Sequence, residues 1–106
     1  MRARLFDRGR FSEPALLVLI SLADGPKHGY AVMEDVARIA AVRLGTGTLY
    51  GALARLECHG LIEATAGDER RRPYRLTDTG VEALRVHLSE LRDLANAGLR
   101  RLEAVA

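Results

Sequence analysis

The most informative segment of the chain is residues 46–76, which read TGTLYGALARLECHGLIEATAGDERRRPYRL. Apolar residues recur in its first half at the i, i+3, i+4 and i+7 spacing of a helix face, at Leu49, Ala52, Leu53 and Leu56. This spacing predicts a helix from about residue 46 to residue 59, with Gly60 as its cap. In the second half, two segments of strand-forming composition, 61–66 and 73–76, flank a polar, Arg-rich turn. This pattern is typical of a β-hairpin with a basic tip.

Two helices are predicted before this stretch. Ser12 is a good N-cap for the first, and Pro14 costs no hydrogen bond in a first turn. Residues 15–22 are apolar nearly all round, as expected of a central helix, and Asp24-Gly25-Pro26 ends it. The second helix is predicted from about His28 to Ala40. Its predicted apolar face is Tyr30, Val32, Met33, Val36, Ala37 and Ile39. The residues predicted to point outward are Glu34, Asp35 and Arg38.

A last helix is predicted from the cap Thr77 to about Val105. Its apolar residues follow the 3.5-residue period of a coiled coil, at Val81, Leu84, Leu88, Leu91, Ala95, Gly98, Leu102 and Val105. Some 28 residues extend roughly 40 Å, whereas the preceding body is only about 25 Å across. The helix therefore overhangs, and a second copy of the chain is the simplest cover for its apolar stripe. The alternative is that it folds back over its own domain.

Three helices and a hairpin define the fold class: mainly α with a small β-hairpin, a winged helix-turn-helix plus a long C-terminal dimerisation helix. The predicted organisation is a basic N-terminal arm over 1–11, the winged helix-turn-helix over 12–77 and the dimerisation helix over 78–106. The predicted dimer interface is Leu84, Leu88, Leu91, Ala95, Leu99 and Leu102.

Length and composition fit this organisation. The chain has 106 residues, 48% of them apolar and 28% charged, which suits one globular domain. The apolar run over 15–22 is far shorter than the roughly 20 residues that a membrane span needs. No apolar segment follows Met1-Arg2-Ala3-Arg4, so we expect no signal peptide. Cys58 cannot form an internal disulfide, and a reducing cytoplasm, with association to the nucleoid through DNA, is the expected location.

The distribution of charge is more informative than the total of +2. Residues 1–10 carry a local +3 and residues 70–75 a local +4, which leaves the remainder at −5. Localised basic clusters on an otherwise acidic chain favour an anionic partner such as nucleic acid. The alternative is coding bias, since 15 of the 16 basic residues are arginine.

The third helix has an unusual outward face. Opposite its apolar residues lie only small ones: Gly47, Gly51, Ala54 and Cys58. A solvated helix face normally carries Lys, Glu or Gln, so this face is expected to meet something large that approaches the backbone closely. Beside it, Arg55 is suited to guanine, Thr46 and Thr48 to bases, and Tyr50 to phosphate. Packing within the domain is the alternative for Thr48, Tyr50 and Arg55.

Winged helices place the third helix in the major groove and the hairpin on flanking DNA. Lys27 and His28 are further candidates for phosphate contact, although His28 fits a core or capping position equally well. The predicted DNA-binding residues are Lys27, His28, Thr46, Gly47, Thr48, Tyr50, Gly51, Arg55, Arg70, Arg71 and Arg72.

Five short strings in order resemble the PadR family of bacterial transcription regulators: HGY at 28–30, GTLY at 47–50, RLE at 55–57, GLIE at 60–63 and RRPYRLT at 71–77, closing on Gly80. The resemblance covers about residues 16–84. It implies a homodimeric, cytoplasmic DNA-binding protein, usually a repressor, that dimerises through the C-terminal helix and the N-terminal segment. The family often has Ser where this chain has Gly45. Some small members bind flat aromatic drugs between tryptophans, and this chain has no Trp.

Other chemistry has little support in the sequence. No catalytic set, phosphate-binding loop or cofactor motif is present, so we expect neither an enzyme nor a cofactor. The adjacent pair Cys58 and His59 diverges on a helix and has no second ligand pair, which argues against a metal site. Cys58 is predicted to be a small residue that leaves space on this helix face; the alternative is a redox-sensitive thiol.

The sequence therefore predicts a sequence-specific DNA-binding regulator, a repressor, acting as a homodimer on a pseudo-palindromic operator. The alternative is a winged-helix protein-interaction module without sequence-specific DNA binding. The expected partners are double-stranded DNA, a second copy of the chain and an unidentified small-molecule effector, with no membrane.

Overall fold

A computed structural model describes residues 13–67 and 72–105. The predicted arm over 1–11, the cap Ser12, the hairpin tip over 68–71 and residue 106 lie outside this part. The elements are α1 (Glu13–Leu22), α2 (Gly29–Ala40), α3 (Thr46–Cys58), β1 (Ile62–Ala64), β2 (Tyr74–Leu76) and α4 (Asp78–Val105). The predicted fold class, mainly helical with one hairpin and a long last helix, is confirmed.

Helix α1 is the centre of the domain. It contacts α2, α3, α4 and β2, and Val18 and Leu19 have no exposed surface. A helix that is apolar nearly all round can be covered only by neighbours on several sides, as the sequence predicted. The core around it is completed by Val32 and Val36 of α2, by the buried face of α3 and by Leu61 and Ile62 at the start of the hairpin.

The predicted faces of α2 are partly wrong. Tyr30 and Ile39 are 66% and 50% exposed, whereas Asp35 is buried at 9%. The face that meets α1 is built on Val32, Asp35 and Val36, which follow the i, i+3, i+4 spacing. Asp35 is tolerated there because its carboxylate accepts hydrogen bonds from Ser21 Oγ and Arg38, both at 2.7 Å.

The hairpin strands are shorter than the sequence suggests. They pair antiparallel over three residues, with Ile62 opposite Leu76 and Ala64 opposite Tyr74. Strand β2 also pairs with the loop before α2 through an isolated antiparallel bridge, in which Lys27 and Tyr74 exchange backbone hydrogen bonds of 3.1 and 2.9 Å. The hairpin is thereby tied to the start of α2.

Thr77 and Gly80 join the hairpin to α4. The Thr77 hydroxyl donates to the Gly60 carbonyl at 2.7 Å and accepts from the Gly80 N–H at 3.0 Å, so it caps α4 as predicted. Gly80 lies directly against the backbone of Leu61. A β-carbon at position 80 would lie 2.9 Å from the Leu61 carbonyl carbon and closer still to its oxygen. Only glycine allows this approach.

Helix α4 packs on the domain only through its first turns. Leu84 and His87 are buried, while from residue 90 onward every described residue except Ala97 is exposed. The overhang is confirmed, and the folding-back alternative is wrong because the helix continues without a break to Val105. Leu84 differs from its predicted role: at 5% exposure it belongs to the core of its own domain and offers no surface to a partner.

No helix in the described ranges combines the length and the apolar content needed to cross a membrane.

We expect Gly80→Ala to destabilise the protein by about 1–3 kcal/mol, the range for forced overpacking, because the methyl group meets backbone that cannot move aside. Thermal or urea unfolding measures this loss. Gly51→Ala is the matched control in another helix, since nothing lies within 4 Å of its β-carbon position; it should be neutral or stabilising by up to about 1 kcal/mol. Equal stability of the two variants would contradict the close packing at Leu61.

Candidate nucleic-acid interface

Helix α3 has one buried face and one open face. Leu49, Ala52, Leu53 and Leu56 are at most 3% exposed and pack into the core. Gly47, Gly51, Ala54 and Cys58 are all exposed. The predicted orientation of the helix is therefore confirmed. It results from burial of the four apolar side chains in the core around α1.

The four exposed residues form what we call the small-residue strip, which is Gly47, Gly51, Ala54 and Cys58. A β-carbon added at Gly47 or Gly51 would meet nothing within 4 Å. The α3 backbone is thus accessible along the strip, and a large partner could approach it without displacing any side chain.

Arg55 and Thr48 border one edge of the strip. Both are exposed, and within residues 13–67 and 72–105 the Arg55 guanidinium has neither an ion pair nor a hydrogen bond. This separates it from Arg38, Arg75, Arg85 and Arg92, each of which lies within ion-pair distance of a carboxylate. Arg55 therefore presents its full set of donors to an external acceptor, as a readout residue must.

Thr46 and Tyr50 border the other edge. Thr46 is exposed and is the first residue of α3, so the helix begins directly after Gly45, which occupies the N-cap position without a side-chain cap. Tyr50 is 46% exposed, and its ring lies over Gly29 at the start of α2. The predicted packing of Tyr50 within the domain therefore holds for one side of the ring, while the rest of the residue is exposed and its phosphate contact stays a prediction.

Lys27 does not have the free ammonium group that the sequence suggested. Its Nζ donates to the Ser21 carbonyl and to the Asp24 carboxylate, and the side chain is only 18% exposed. The hydrogen bond and charge of Lys27 hold the pKa of Asp24 below its ordinary value. The ammonium group is used to close the end of α1, whose last carbonyls lack helical partners.

His28 remains at the surface. It occupies the N-cap position of α2, but its side chain makes no capping hydrogen bond, and the residue is exposed. The core alternative is therefore wrong.

The basic cluster of the hairpin is only partly described. Arg70 and Arg71 lie in the undescribed tip, and Arg72 is exposed. Arg75 faces Glu63 across the two strands, and its Nε donates to the carboxylate at 2.8 Å. The local charge of +4 counted over 70–75 is therefore reduced by an acidic partner that lies outside that window.

Two further side chains near this surface are Tyr74 of β2 and Cys58, the last residue of α3. Tyr74 is half-buried, and its burial raises the pKa of the phenol, with Glu57 and Tyr50 adding to the rise. Cys58 is a free, exposed thiol. In the ranges that the structure covers, no three His, Cys, Asp or Glu residues are grouped so that they could hold a metal ion.

Sequence reasoning missed the contact between Gly29 and Tyr50. These residues lie 21 positions apart in separate helices, and no periodicity connects them. The only signal was that both belong to short strings, HGY and GTLY, that could not be explained by core packing alone.

A family model described as the transcriptional regulator PadR-like family matches residues 17–86. Among curated proteins, a transcriptional regulator of Mycobacterium tuberculosis is 39% identical over 83 residues, which is 76% of this chain and 77% of that protein. A 37.1 kDa protein in transposon TN4556 of Streptomyces fradiae is 47% identical over 75 residues. The match covers 71% of this chain but only 22% of the length of that protein.

Solved structures agree with this match. A PadR family transcription regulator from Clostridium difficile superposes with a TM-score of 0.75 at 26% identity, covering 84% of this chain and 97% of that one. A PadR family transcriptional regulator from Eggerthella lenta has a TM-score of 0.70 at 30% identity, covering 84% and 80%.

The open surface at Gly51 generates a test. Gly51→Ala and Gly51→Leu should both keep or raise the melting temperature, because replacing a mid-helix glycine gains up to about 1 kcal/mol. DNA affinity should persist in the Ala variant and fall at least roughly tenfold, about 1.4 kcal/mol, in the Leu variant, since only the longer side chain blocks approach to the strip. Thermal unfolding and fluorescence anisotropy measure the two effects.

Ala52→Leu is the matched control for stability. Ala52 is 1% exposed, so the same leucine one position further along should destabilise by about 1–3 kcal/mol. Early melting of Gly51→Leu would contradict the orientation of α3, and normal DNA binding by a folded Gly51→Leu would remove the strip from the interface.

Proposed function

Because the chain belongs to the PadR-like family of transcriptional regulators, whose members bind DNA and are not enzymes, we propose that it represses transcription as a homodimer on a pseudo-palindromic operator. The observation that carries the proposal is the outward face of α3: an open small-residue strip bordered by Arg55, which has no ion pair among the described residues. A protein-interaction helix would gain affinity from large apolar or aromatic anchors on this face, whereas a helix that enters a groove needs a slim backbone and a few long donors.

In this proposal α3 enters the major groove with the small-residue strip toward the base edges. Arg55 pairs with a guanine, for which a planar guanidinium can form two parallel hydrogen bonds. Thr46 and Thr48 lie on opposite edges of the strip, where a hydroxyl can bond a base or a phosphate and a methyl can touch thymine.

The phosphate contacts would come from the surfaces beside α3. Tyr50 and His28 lie at the junction of α2 and α3, and we propose from the sequence that Arg70, Arg71 and Arg72 contact flanking DNA. We do not assign a phosphate to Lys27, because its ammonium group is already bonded to Ser21 and Asp24. Its role is to close α1 and so to hold the loop that precedes His28.

The exposed part of α4 supports the homodimer. Leu88, Leu91, Leu99 and Leu102 are 38, 40, 57 and 66% exposed, and with Ala95 they follow one seam of the helix. Apolar residues repeated at this spacing are stabilised when a second helix covers them. Two copies related by a two-fold axis would present two α3 helices, which suits half-sites roughly 34–36 Å apart.

Repression is proposed on physical grounds. A small dimer bound across a promoter excludes polymerase by occupying the DNA, and this requires no further activating surface. The cytoplasm is the proposed compartment, since the exposed thiol of Cys58 stays reduced there.

DNA binding is tested with the purified chain and the DNA upstream of its own gene, by gel shift or anisotropy at a stated salt concentration. We expect binding at least about 10³-fold tighter to a two-fold-symmetric site than to random DNA of the same length. Equal affinity for both DNAs would overturn sequence-specific regulation and favour the protein-interaction alternative.

Arg55→Ala should cost about 1–3 kcal/mol on the cognate site and relax one base position per half-site. The loss on random DNA should be smaller, because the residue is proposed to contact a base and not the backbone. Arg100→Ala is the control, since it removes one exposed arginine on α4, far along the chain from α3. Equal losses for Arg55→Ala on cognate and random DNA would make Arg55 a backbone contact.

Leu88→Glu combined with Leu91→Glu should convert the dimer to a monomer and abolish tight operator binding, because like charges would face each other in an apolar seam. Light scattering at micromolar concentration reports the oligomeric state. Glu90→Lys combined with Asp93→Lys alters the opposite face of α4 and should leave the dimer intact. A wild-type chain that is monomeric under these conditions would contradict the proposed dimer.

A further inference from the structure

The contact between Gly29 and Tyr50 joins the two helices of the helix-turn-helix at their exposed edge. Gly29 is the first residue of α2, and Tyr50 lies in the second turn of α3. A β-carbon at position 29 would lie closest to the Tyr50 hydroxyl oxygen, and it would lie 2.7 Å from Cζ of the ring and 3.0 Å from Cε1. Real β-carbons do not come this close to other atoms, so any side chain at position 29 must displace the ring.

Backbone conformation does not explain the glycine. The glycines with a positive φ in the described ranges are Gly25, Gly60 and Gly67, and Gly29 is not among them. Its backbone is therefore one that any residue can adopt. What position 29 lacks room for is a side chain, because the space above its α-carbon is filled by the phenol ring.

The ring is held by packing alone. In the part of the chain that the structure describes, the Tyr50 hydroxyl makes no hydrogen bond, and the residue is 46% exposed. Gly29 itself is buried beneath the ring, while the neighbouring His28 is exposed. The hydroxyl oxygen is the Tyr50 atom nearest to the β-carbon position of Gly29, so the half-exposed ring ends beside the first turn of α2.

We infer that Gly29 is a positioning residue for DNA binding: its missing side chain lets the Tyr50 ring rest on α2 and so aims the Tyr50 hydroxyl at a DNA phosphate. The inference rests on the proposed function, since it specifies how one of the phosphate contacts of the interface is held in place. A phenol hydroxyl can donate to a phosphate oxygen, and a ring whose torsions are already restricted loses less conformational freedom when it binds.

The tests are Gly29→Ala, Tyr50→Phe, Tyr50→Ala and the double variant Gly29→Ala with Tyr50→Ala, measured against the operator at one salt concentration. Gly29→Ala should retain or raise the melting temperature, because a surface ring can swing away and alanine suits a helix better than glycine. Its DNA affinity should nevertheless fall at least about fivefold, and Tyr50→Phe should lose a similar factor. A merely structural role for Gly29 would lower stability and affinity together.

The double variant separates positioning from a direct effect. In the Tyr50→Ala background, Gly29→Ala should change affinity by less than about twofold, because no ring remains to be displaced. Arg100→Ala is the control: it alters an exposed residue of α4, far along the chain from the proposed interface, and should bind as the wild type does.

Three results would overturn the inference while leaving the proposed function intact: wild-type affinity for Gly29→Ala, wild-type affinity for Tyr50→Phe, or an equal loss from Gly29→Ala with and without Tyr50. If Gly29→Ala melts early, recovery of the melting temperature in the double variant supports the contact, and no recovery overturns it. Absence of operator binding by the wild-type chain would instead overturn the proposed function itself.

Discussion

Burial of α1 on several sides is the constraint on which the rest of the structure depends. Helices α2, α3 and α4 and strand β2 all contact it, and each must turn its own apolar residues inward to do so. For α3 this packing commits Leu49, Leu53 and Leu56 to the core. Because a helix is rigid, burial of this face directs the opposite face outward. The exposure of the small-residue strip is therefore set by the packing of the core.

Close approaches of backbone position the other elements around this core. At Gly80 the first turn of α4 rests on the Leu61 carbonyl, and Thr77 bonds to Gly60 at 2.7 Å. These contacts set the direction in which α4 leaves the domain, so that its later turns project away from the core. At Gly29 a similar absence of a side chain lets α3 and α2 meet through the ring of Tyr50. At Gly80 the missing β-carbon lets two backbones meet, whereas at Gly29 it makes room for a side chain.

Charged side chains divide into those that hold the domain together and those that remain available to a partner. Lys27 bonds to Ser21 and Asp24, Arg38 pairs with Asp35, and Arg75 pairs with Glu63. Arg55 has no such partner among the described residues. The division explains why local charge counts overstate the basic surface: a salt bridge satisfies the donors of the cation and screens its field, whichever part of the sequence supplies the acid.

The fold class, the order of the elements, the orientation of α3 and the overhang of α4 could all be predicted from the amino-acid sequence. Each of these depends on a periodic pattern of apolar residues within one segment, and burial of that pattern dominates the local energetics. The bounds of α2, α3 and α4 were predicted to within about a residue for the same reason, since caps and breakers such as Thr77 and Gly60 act locally. Other features became apparent only from the packed fold: which ionisable groups are already paired, that Asp35 is buried while Tyr30 is exposed, that Leu84 belongs to the core, and that Gly29 lies beneath Tyr50. These features depend on contacts between residues far apart in the chain, and such contacts exist only once the helices have packed against α1.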